Sequence, residues 1–272
     1  MNRRKFVQSA MISGGVLGGA MSLGETAAAA VTEETGHKRQ QEWYELRTYY
    51  FSNGEQRGLT ETYLEKAFIP ALNRAGIARV GVFIESEPAA GTVARLFVLL
   101  AFPDMGAFTG LPGKLAGDSQ YTKDGEAYLA APATQPAYQR IESSLMKAFA
   151  HMPVMEAPEK KTRMFELRCY ESPTESAGQK KIEMFNDAGE IDIFKKVGAR
   201  PVFFGETVIG LRQPNLTYML CFDDMAAHDA RWKAFGTDPE WKAVSSRAEY
   251  SDAKLISKIT RTFLSPAFYS QI

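Results

Sequence analysis

The sequence predicts an α+β fold in which two tandem ferredoxin-like units, each with the element order βαββαβ, pack sheet to sheet as a barrel within one chain. The strand-like segments "YELRTYY" (44–50) and "FELRCYE" (165–171) are nearly the same, at an offset of 121 residues from Glu45 to Glu166. The segments that follow each copy repeat in the same order. A four-stranded sheet with helices on one face must cover its other face, and a second unit in the same chain supplies that cover.

Each opening strand is followed by a segment with helical periodicity that ends at a glycine. In the first unit the apolar residues recur every three to four positions up to Gly76, and in the second up to Gly198. The apolar positions are Leu59, Tyr63, Phe68, Ala71 and Leu72 in the first unit, and Ile182, Phe185, Ile193 and Val197 in the second.

The later strands also correspond between the two units. The segment 78–85 matches 199–206, and 95–105 matches 216–225. The final strands are predicted at 139–149 and 254–264. A segment rich in proline and charge, "HMPVMEAPEKKT" (151–162), is typical of a linker. We therefore predict a first unit over 43–150, a linker over 151–162 and a second unit over 163–272.

The N-terminus has the pattern of an export signal. Arg3 and Arg4 precede a weakly apolar, glycine-rich stretch, and alanines before Val31 offer an A-x-A cleavage site. Paired arginines with modest hydrophobicity favour the Tat route. We predict a Tat-type signal peptide over 1–30, a flexible segment over 31–42, and a periplasmic or otherwise extracytoplasmic mature protein without a stable membrane anchor.

The composition excludes some partners and leaves others open. Lysine and arginine number 32 against 32 aspartates and glutamates, which gives no basic surplus for nucleic acid. Two cysteines, Cys169 and Cys221, lie in strand-like segments and are predicted to be buried free thiols. A single disulfide between them is the alternative in an oxidising compartment. Exposed helices and sheet edges favour a homo-oligomer.

The duplicated strand carries charge on one face. Because strand residues alternate between faces, Glu45, Arg47 and Tyr49 share one side, opposite Tyr44, Leu46 and Thr48. Glu166, Arg168 and Tyr170 likewise share a side, opposite Phe165, Leu167 and Cys169. We expect the apolar sets to face the helices. The polar sets are then expected to face the barrel interior, where they would line a wet cavity or pair with one another.

These strands resemble the opening strand of the NIPSNAP family. The segment "ARWKAFGTDPEWKAV" (230–244) is similar to that family as well, with W-x-x-F followed by D-P-E-W. The resemblance covers both units and is stronger in the second, since the first lacks both tryptophans and the proline. It implies a dimeric α/β-barrel fold. Related barrels include haem-degrading and cofactor-free monooxygenases, chlorite dismutases, dye-decolourising peroxidases and proteins without known chemistry, so the resemblance leaves the reaction and any cofactor undetermined.

The D-P-E-W motif admits a local and a functional interpretation. Asp238 suits a helix N-cap, Pro239 the first helical position and Glu240 the positive helix end. Trp232 and Trp241 are then core anchors. In the functional interpretation the two tryptophans form an apolar wall near the barrel mouth.

Familiar catalytic motifs do not stand out. Beyond the signal, the histidines are His37, His151 and His228. His228 follows a strand on a helix and is predicted to be solvated, with a haem ligand as the alternative. No spacing indicates a metal site. Asp223 and Asp224 are expected to cap a helix rather than bind metal.

Three functions remain open from the sequence. The first is binding of a small organic or anionic ligand in the barrel between the halves, with Glu45, Arg47, Tyr49, Glu166, Arg168, Tyr170, Trp232 and Trp241 as ligand-binding residues. The second is a monooxygenase- or isomerase-like enzyme, in which Arg47 or Arg168 holds an anion, Tyr49 or Tyr170 donates a hydrogen bond and Glu45 or Glu166 is the base. The third is a protein-interaction scaffold without a ligand.

Overall fold

A computed structural model describes residues 40–272. The predicted signal peptide and the first part of the segment 31–42 lie outside the described residues. Within residues 40–272, no helix is long and apolar enough to span a bilayer.

The described chain contains eight strands and ten α-helices. The strands are β1 (Trp43–Tyr50), β2 (Gly81–Glu85), β3 (Leu96–Phe102), β4 (Arg140–Ala148), β5 (Met164–Glu171), β6 (Arg200–Ile209), β7 (Asn215–Phe222) and β8 (Lys258–Pro266). The helices are α1 (Gly54–Tyr63), α2 (Ile69–Arg74), α3 (Met105–Ala116), α4 (Ser119–Asp124), α5 (Glu126–Leu129), α6 (Glu175–Asn186), α7 (Glu190–Lys196), α8 (Met225–Thr237), α9 (Pro239–Ser245) and α10 (Asp252–Leu255). A π-helical turn, Leu64–Phe68, joins α1 to α2, and a 3₁₀ turn, Ala248–Tyr250, precedes α10.

The eight strands form one closed antiparallel barrel in the order β1-β3-β2-β8-β5-β7-β6-β4. Each half keeps the ferredoxin-like order, β4-β1-β3-β2 in the first and β8-β5-β7-β6 in the second. Two seams of the same chain join the halves, β2 with β8 and β4 with β6. The predicted fold class is confirmed. The expectation of open sheet edges is wrong for residues 40–272, because each of these strands has a neighbour on both sides.

Helix ends follow the local sequence. Asn53, Asp104, Asp224 and Asp238 cap α1, α3, α8 and α9 by accepting hydrogen bonds from first-turn amides. The capping role expected of Asp224 and Asp238 is confirmed, and Pro239 occupies the first turn of α9. Asp223 does not cap α8 and instead forms an ion pair with Arg200 at 2.8 Å. Gly76 and Gly198 follow helical segments with φ of 89° and 77°, a left-handed conformation that glycine adopts without strain.

Alternate residues of each strand point into two different buried layers, one inside the barrel and one beneath the helices. Facing inwards, the barrel core is built from apolar side chains of both halves, among them Tyr44, Phe83, Phe165, Phe203 and Met219. Facing outwards, residues of the same strands pack beneath the helices of their own half. Strands β3 and β7 are buried at every position because both of their faces are covered.

The two ends of the barrel differ. At the end where β1 and β5 begin, Met155 and Ile272 join the barrel core and plug it, and Met155 is fixed by Glu42 and Arg79. We call this the plugged end. At the other end, where β1 and β5 finish, apolar side chains give way to short polar ones around a cavity. We call this the mouth.

Removal of an inward-facing ring should cost far more stability than removal of an exposed one. Phe165 is fully buried and its ring lies 4.8 Å from that of Phe83 in the other half. Phe165→Ala is expected to lower the free energy of unfolding by about 3–5 kcal/mol.

Phe268→Ala is the matched control, because that ring is 86% exposed and its loss should change stability by less than about 0.5 kcal/mol. Denaturant titration of both variants provides the measurement. Similar losses in the two variants would contradict the assignment of Phe165 to a core shared by both halves.

Candidate functional site

The predicted polar faces lie under the helices, so the expectation that Glu45, Arg47, Tyr49, Glu166, Arg168 and Tyr170 face the barrel interior is wrong. Tyr49 and Tyr170 pack in the helix-covered cores of their own halves. The opposite sets, including Tyr44, Leu46, Phe165 and Leu167, face the interior instead. An eight-stranded barrel has room for little more than its own interior side chains, whereas the helical layer supplies partners for long charged ones.

In the second half the Glu166 carboxylate is fully buried and satisfied by three side chains. Arg168 Nη1 donates to Oε1 at 3.0 Å, and Trp232 Nε1 donates to Oε2 at 2.8 Å. His228 Nε2 lies 3.3 Å from the same Oε2. A buried carboxylate is tolerated when hydrogen-bond partners replace water. Two of the three partners, His228 and Trp232, come from α8.

His228 is buried, and the expectation that it is solvated is wrong. Its ring is 6% exposed, with Nδ1 2.8 Å from the Asp229 carboxylate. The ring also packs edge-on against Phe222 and Phe263. His228 and Trp232 lie four residues apart on one face of α8, so both reach the Glu166 carboxylate.

Arg168 and the two tyrosines beside it complete the layer. The Arg168 guanidinium stacks over Trp232, 4.4 Å from the ring centre. The hydroxyls of Tyr170 and Tyr218 are 2.9 Å apart. Burial raises the pKa of Tyr170 to about 12, against the opposing charge of Arg168, so the phenol stays neutral at physiological pH. Sequence reasoning found Tyr170 but missed Tyr218, which stands in an apolar strand without a motif.

Trp232 and Trp241 are anchors of the helical layer. Both pack on Phe235, with ring centres 5.7 Å and 4.4 Å from it. Neither lines the mouth cavity, so the wall near the barrel mouth is not formed by these tryptophans.

The first half pairs the equivalent charges differently. Arg47 makes two hydrogen bonds to Glu45, at 2.7 and 2.9 Å, and Ser143 donates a third at 2.8 Å. Helices α3 and α8 begin at Met105 and Met225, both after a capping aspartate. At this offset of 120 residues Phe108 and Pro112 replace His228 and Trp232, so α3 has no side-chain donor at these two positions, and Arg47 bonds both carboxylate oxygens of Glu45.

The predicted ligand-binding residues therefore form two separate clusters, one beneath the helices of each half. Their charges are paired within each cluster: Glu45 with Arg47, and Glu166 with Arg168. Such an arrangement can hold helices onto a sheet. It does not bring the two polar sets into a common space, which a shared pocket between the halves would need.

A cavity lies at the mouth of the barrel. It measures about 90 Å³ and is lined by both halves. The floor is apolar, from Leu46, Phe97 and Leu167, and the walls carry hydroxyl, thiol and amide groups. The wall and rim residues are Thr48, Tyr50, Arg95, Glu142, Ser144, Cys169, Leu211, Arg212, Asn215, Thr217, Thr260 and Thr262.

Most charged groups at the mouth are already paired. Arg95 donates to Glu85 from Nε at 3.0 Å and from Nη2 at 2.5 Å. Glu142 accepts from Tyr50 at 2.7 Å and from Arg140 at 3.0 Å. Burial opposes the ionisation of Glu142, but these hydrogen bonds and the nearby arginines hold its pKa below the ordinary value.

Arg212 differs from the other charged residues of the mouth. Among residues 40–272 its guanidinium has no carboxylate within salt-bridge distance and makes no side-chain hydrogen bond, although its charge favours ionisation of both Glu142 and Cys169. Its backbone is left-handed, with φ of 61°, which is uncommon for a residue with a side chain. The turn between β6 and β7 thus places an exposed arginine, without an ion-pair partner in residues 40–272, at the cavity rim.

Both cysteines are free thiols on the inner face of the barrel. Cys169 lines the mouth cavity, and Cys221 belongs to the barrel core near the plugged end. Burial raises the pKa of each thiol. Within residues 40–272, no group of three or more histidine, cysteine or acidic side chains is placed to hold a metal ion.

The NIPSNAP family model matches residues 165–271, which is the second half of the barrel. No curated protein sequence matches the chain.

Some solved structures match most of this chain at low identity, and others match one half of it. A "putative monooxygenase" from Lactobacillus acidophilus NCFM has a TM-score of 0.53 at 9% identity, covering 84% of this chain and 94% of that chain. An anthrone oxidase-like protein has a TM-score of 0.52 at 10% identity, covering 85% and 93%. A NIPSNAP-like domain protein from Burkholderia xenovorans covers 40% of this chain and 89% of its own, with a TM-score of 0.36 at 19% identity. At identities this low, none of these likenesses bears on function.

The Glu166–Arg168 pair should contribute to stability. Arg168→Met preserves much of the side-chain volume but leaves a fully buried carboxylate with fewer partners. We expect a loss of about 3–5 kcal/mol in the free energy of unfolding.

Lys180→Met is the control from the same half, since the Lys180–Glu183 pair lies at the surface and its loss should leave the unfolding midpoint nearly unchanged. Thermal and denaturant unfolding of both variants provide the comparison. An Arg168→Met protein as stable as the parent would contradict a structural role for the pair.

Proposed function

We propose that the protein binds a small organic molecule with an anionic group at the mouth of the barrel, between its two halves. The observation that carries this proposal is the set of uncommitted polar groups around the cavity. Among residues 40–272, the hydroxyls of Thr48, Thr260 and Thr262 and the guanidinium of Arg212 face the cavity without a side-chain partner in the protein. Polar groups that surround a cavity and lack partners are the usual means by which a site orients a ligand.

The cavity size and lining limit the class of ligand. Pockets for drug-sized ligands measure about 300–1,000 Å³, so about 90 Å³ admits a much smaller molecule or the end of a longer one. The apolar floor favours a short hydrocarbon part, and the hydroxyls favour an oxygen-bearing one. Arg212 favours a carboxylate, because a guanidinium matches it with two parallel hydrogen bonds. A short organic acid combines these features.

The geometry favours binding over catalysis at this cavity. The Cys169 thiol has a raised pKa and is therefore a poor nucleophile. Glu142 is held ionised by Tyr50 and Arg140, which makes it a weak base.

The monooxygenase-like alternative is supported by the fold of the structural neighbours. The scaffold alternative is supported by the plugged end, where side chains fill the barrel. It does not account for the polar groups at the mouth that have no side-chain partner within residues 40–272.

Ligand binding is tested by replacing the rim cation. Arg212→Met should weaken the binding of short organic acids by at least tenfold, because a charge-assisted hydrogen bond contributes about 1.5–3 kcal/mol. Titration calorimetry with a panel of C2–C6 monocarboxylates and hydroxy acids measures this, and native mass spectrometry of the purified protein detects retained molecules.

Arg231→Met is the control, since Arg231 is an exposed arginine on α8 outside the cavity and should leave affinity unchanged. Thr48→Val should also weaken binding without loss of stability. The proposal fails if no member of the panel binds the parent, or if Arg212→Met and Arg231→Met bind equally.

A further inference from the structure

A buried lysine lies in the second half, away from the mouth. Lys181 on α6 is 2% exposed, and its Nζ lies 3.3 Å from Glu190 Oε2 on α7 and 3.2 Å from Met184 Sδ. Glu190 is equally buried. A fully buried lysine is rare unless it is paired, and a buried lysine beside an acid has a proton acceptor within reach.

The amine is otherwise surrounded by aromatic rings. The ring centres of Phe185, Tyr170 and Trp241 lie 5.1, 5.8 and 5.8 Å from Nζ. Such surroundings exclude water from the amine, and a desolvated amine is the form of lysine that acts as a nucleophile. Burial also raises the pKa of Glu190, against the charge of Lys181.

A surface groove lies next to this amine but does not reach it. The groove measures about 280 Å³, and its walls include Met184, Trp241 and Asp252. The same three side chains contact or surround Nζ, with Asp252 Oδ1 at 3.9 Å. The Asp252 side chain is 71% exposed and lies between the amine and solvent. Displacement of the flexible Met184 side chain would connect groove and amine.

We propose that Lys181 forms a Schiff base with small aldehydes or ketones that enter through this groove, as a covalent binding site independent of the mouth cavity. Glu190 accepts one proton from the Lys181 ammonium. The neutral Nζ attacks the carbonyl carbon, so that a C–N bond forms and the oxygen takes the second amine proton. Glu190 returns its proton to that hydroxyl, which leaves as water. The product is an iminium, and nothing is oxidised or reduced.

Reductive trapping tests this assignment. The full-length folded protein is incubated with propanal and sodium cyanoborohydride at neutral pH, and alkylated lysines are mapped by peptide mass spectrometry. We expect Lys181 to react at least about tenfold faster than Lys195. Lys195, on the neighbouring helix α7 with a 40% exposed side chain, is the internal reference.

Two variants separate a nucleophile from a structural ion pair. Glu190→Gln should slow Lys181 labelling about tenfold by removing the proton acceptor, while labelling of Lys195 is unchanged. Ser246→Trp, at an exposed position in the groove wall, should slow Lys181 labelling by obstruction without disturbing the buried pair. Lys181 that stays unmodified until the protein unfolds, or that reacts equally in the parent and in Ser246→Trp, would overturn the proposal.

Discussion

The closure of two one-sided sheets into a single barrel is the constraint on which the rest of the structure depends. Each half has helices on only one face of its four strands, so the other face must be covered. The β2–β8 and β4–β6 seams do this within one chain. The closed interior is then filled by rings from both halves, such as Tyr44 against Phe203 and Phe83 against Phe165. Because Met155 and Ile272 plug one end, any internal ligand space is confined to the mouth.

Closure also determines where charge can be buried. An eight-stranded barrel leaves little free space inside, and its inner core is apolar. The outward faces instead meet helices that can supply partners, as α8 does for Glu166 through His228 and Trp232. In the first half, α3 has Phe108 and Pro112 in place of these donors, and Arg47 and Ser143 satisfy Glu45 from the sheet itself. The polar set on the duplicated strand is therefore used for attaching helices, and the inner set forms the cavity.

Much of the fold could be predicted from the sequence, because the element order, the glycine stops and the helix caps are local signals. Asp224 and Asp238 cap helices where predicted. The sequence of β1 and β5 does not determine which face points into the barrel. Both faces of these strands are covered, one by the other half and one by helices, so the polar face can lie on either side. The burial of His228 depends on Glu166, 62 residues away along the chain. The mouth cavity is lined by threonines and serine that match no motif, and Arg212 becomes notable only because its side chain has no partner at the rim within residues 40–272.

The two cysteines of the barrel interior allow the most direct test of a plugged barrel with an open mouth. Cys169 faces the mouth cavity on β5, and Cys221 faces the filled core on β7. The folded protein is treated with a small neutral thiol reagent, and each cysteine is followed over time by peptide mass spectrometry, with the urea-unfolded protein as reference. We expect Cys169 to react in the folded state, more slowly once a bound acid fills the cavity, and Cys221 to react only on unfolding. Equal protection of both thiols, or equal reaction of both, would contradict a cavity confined to the mouth.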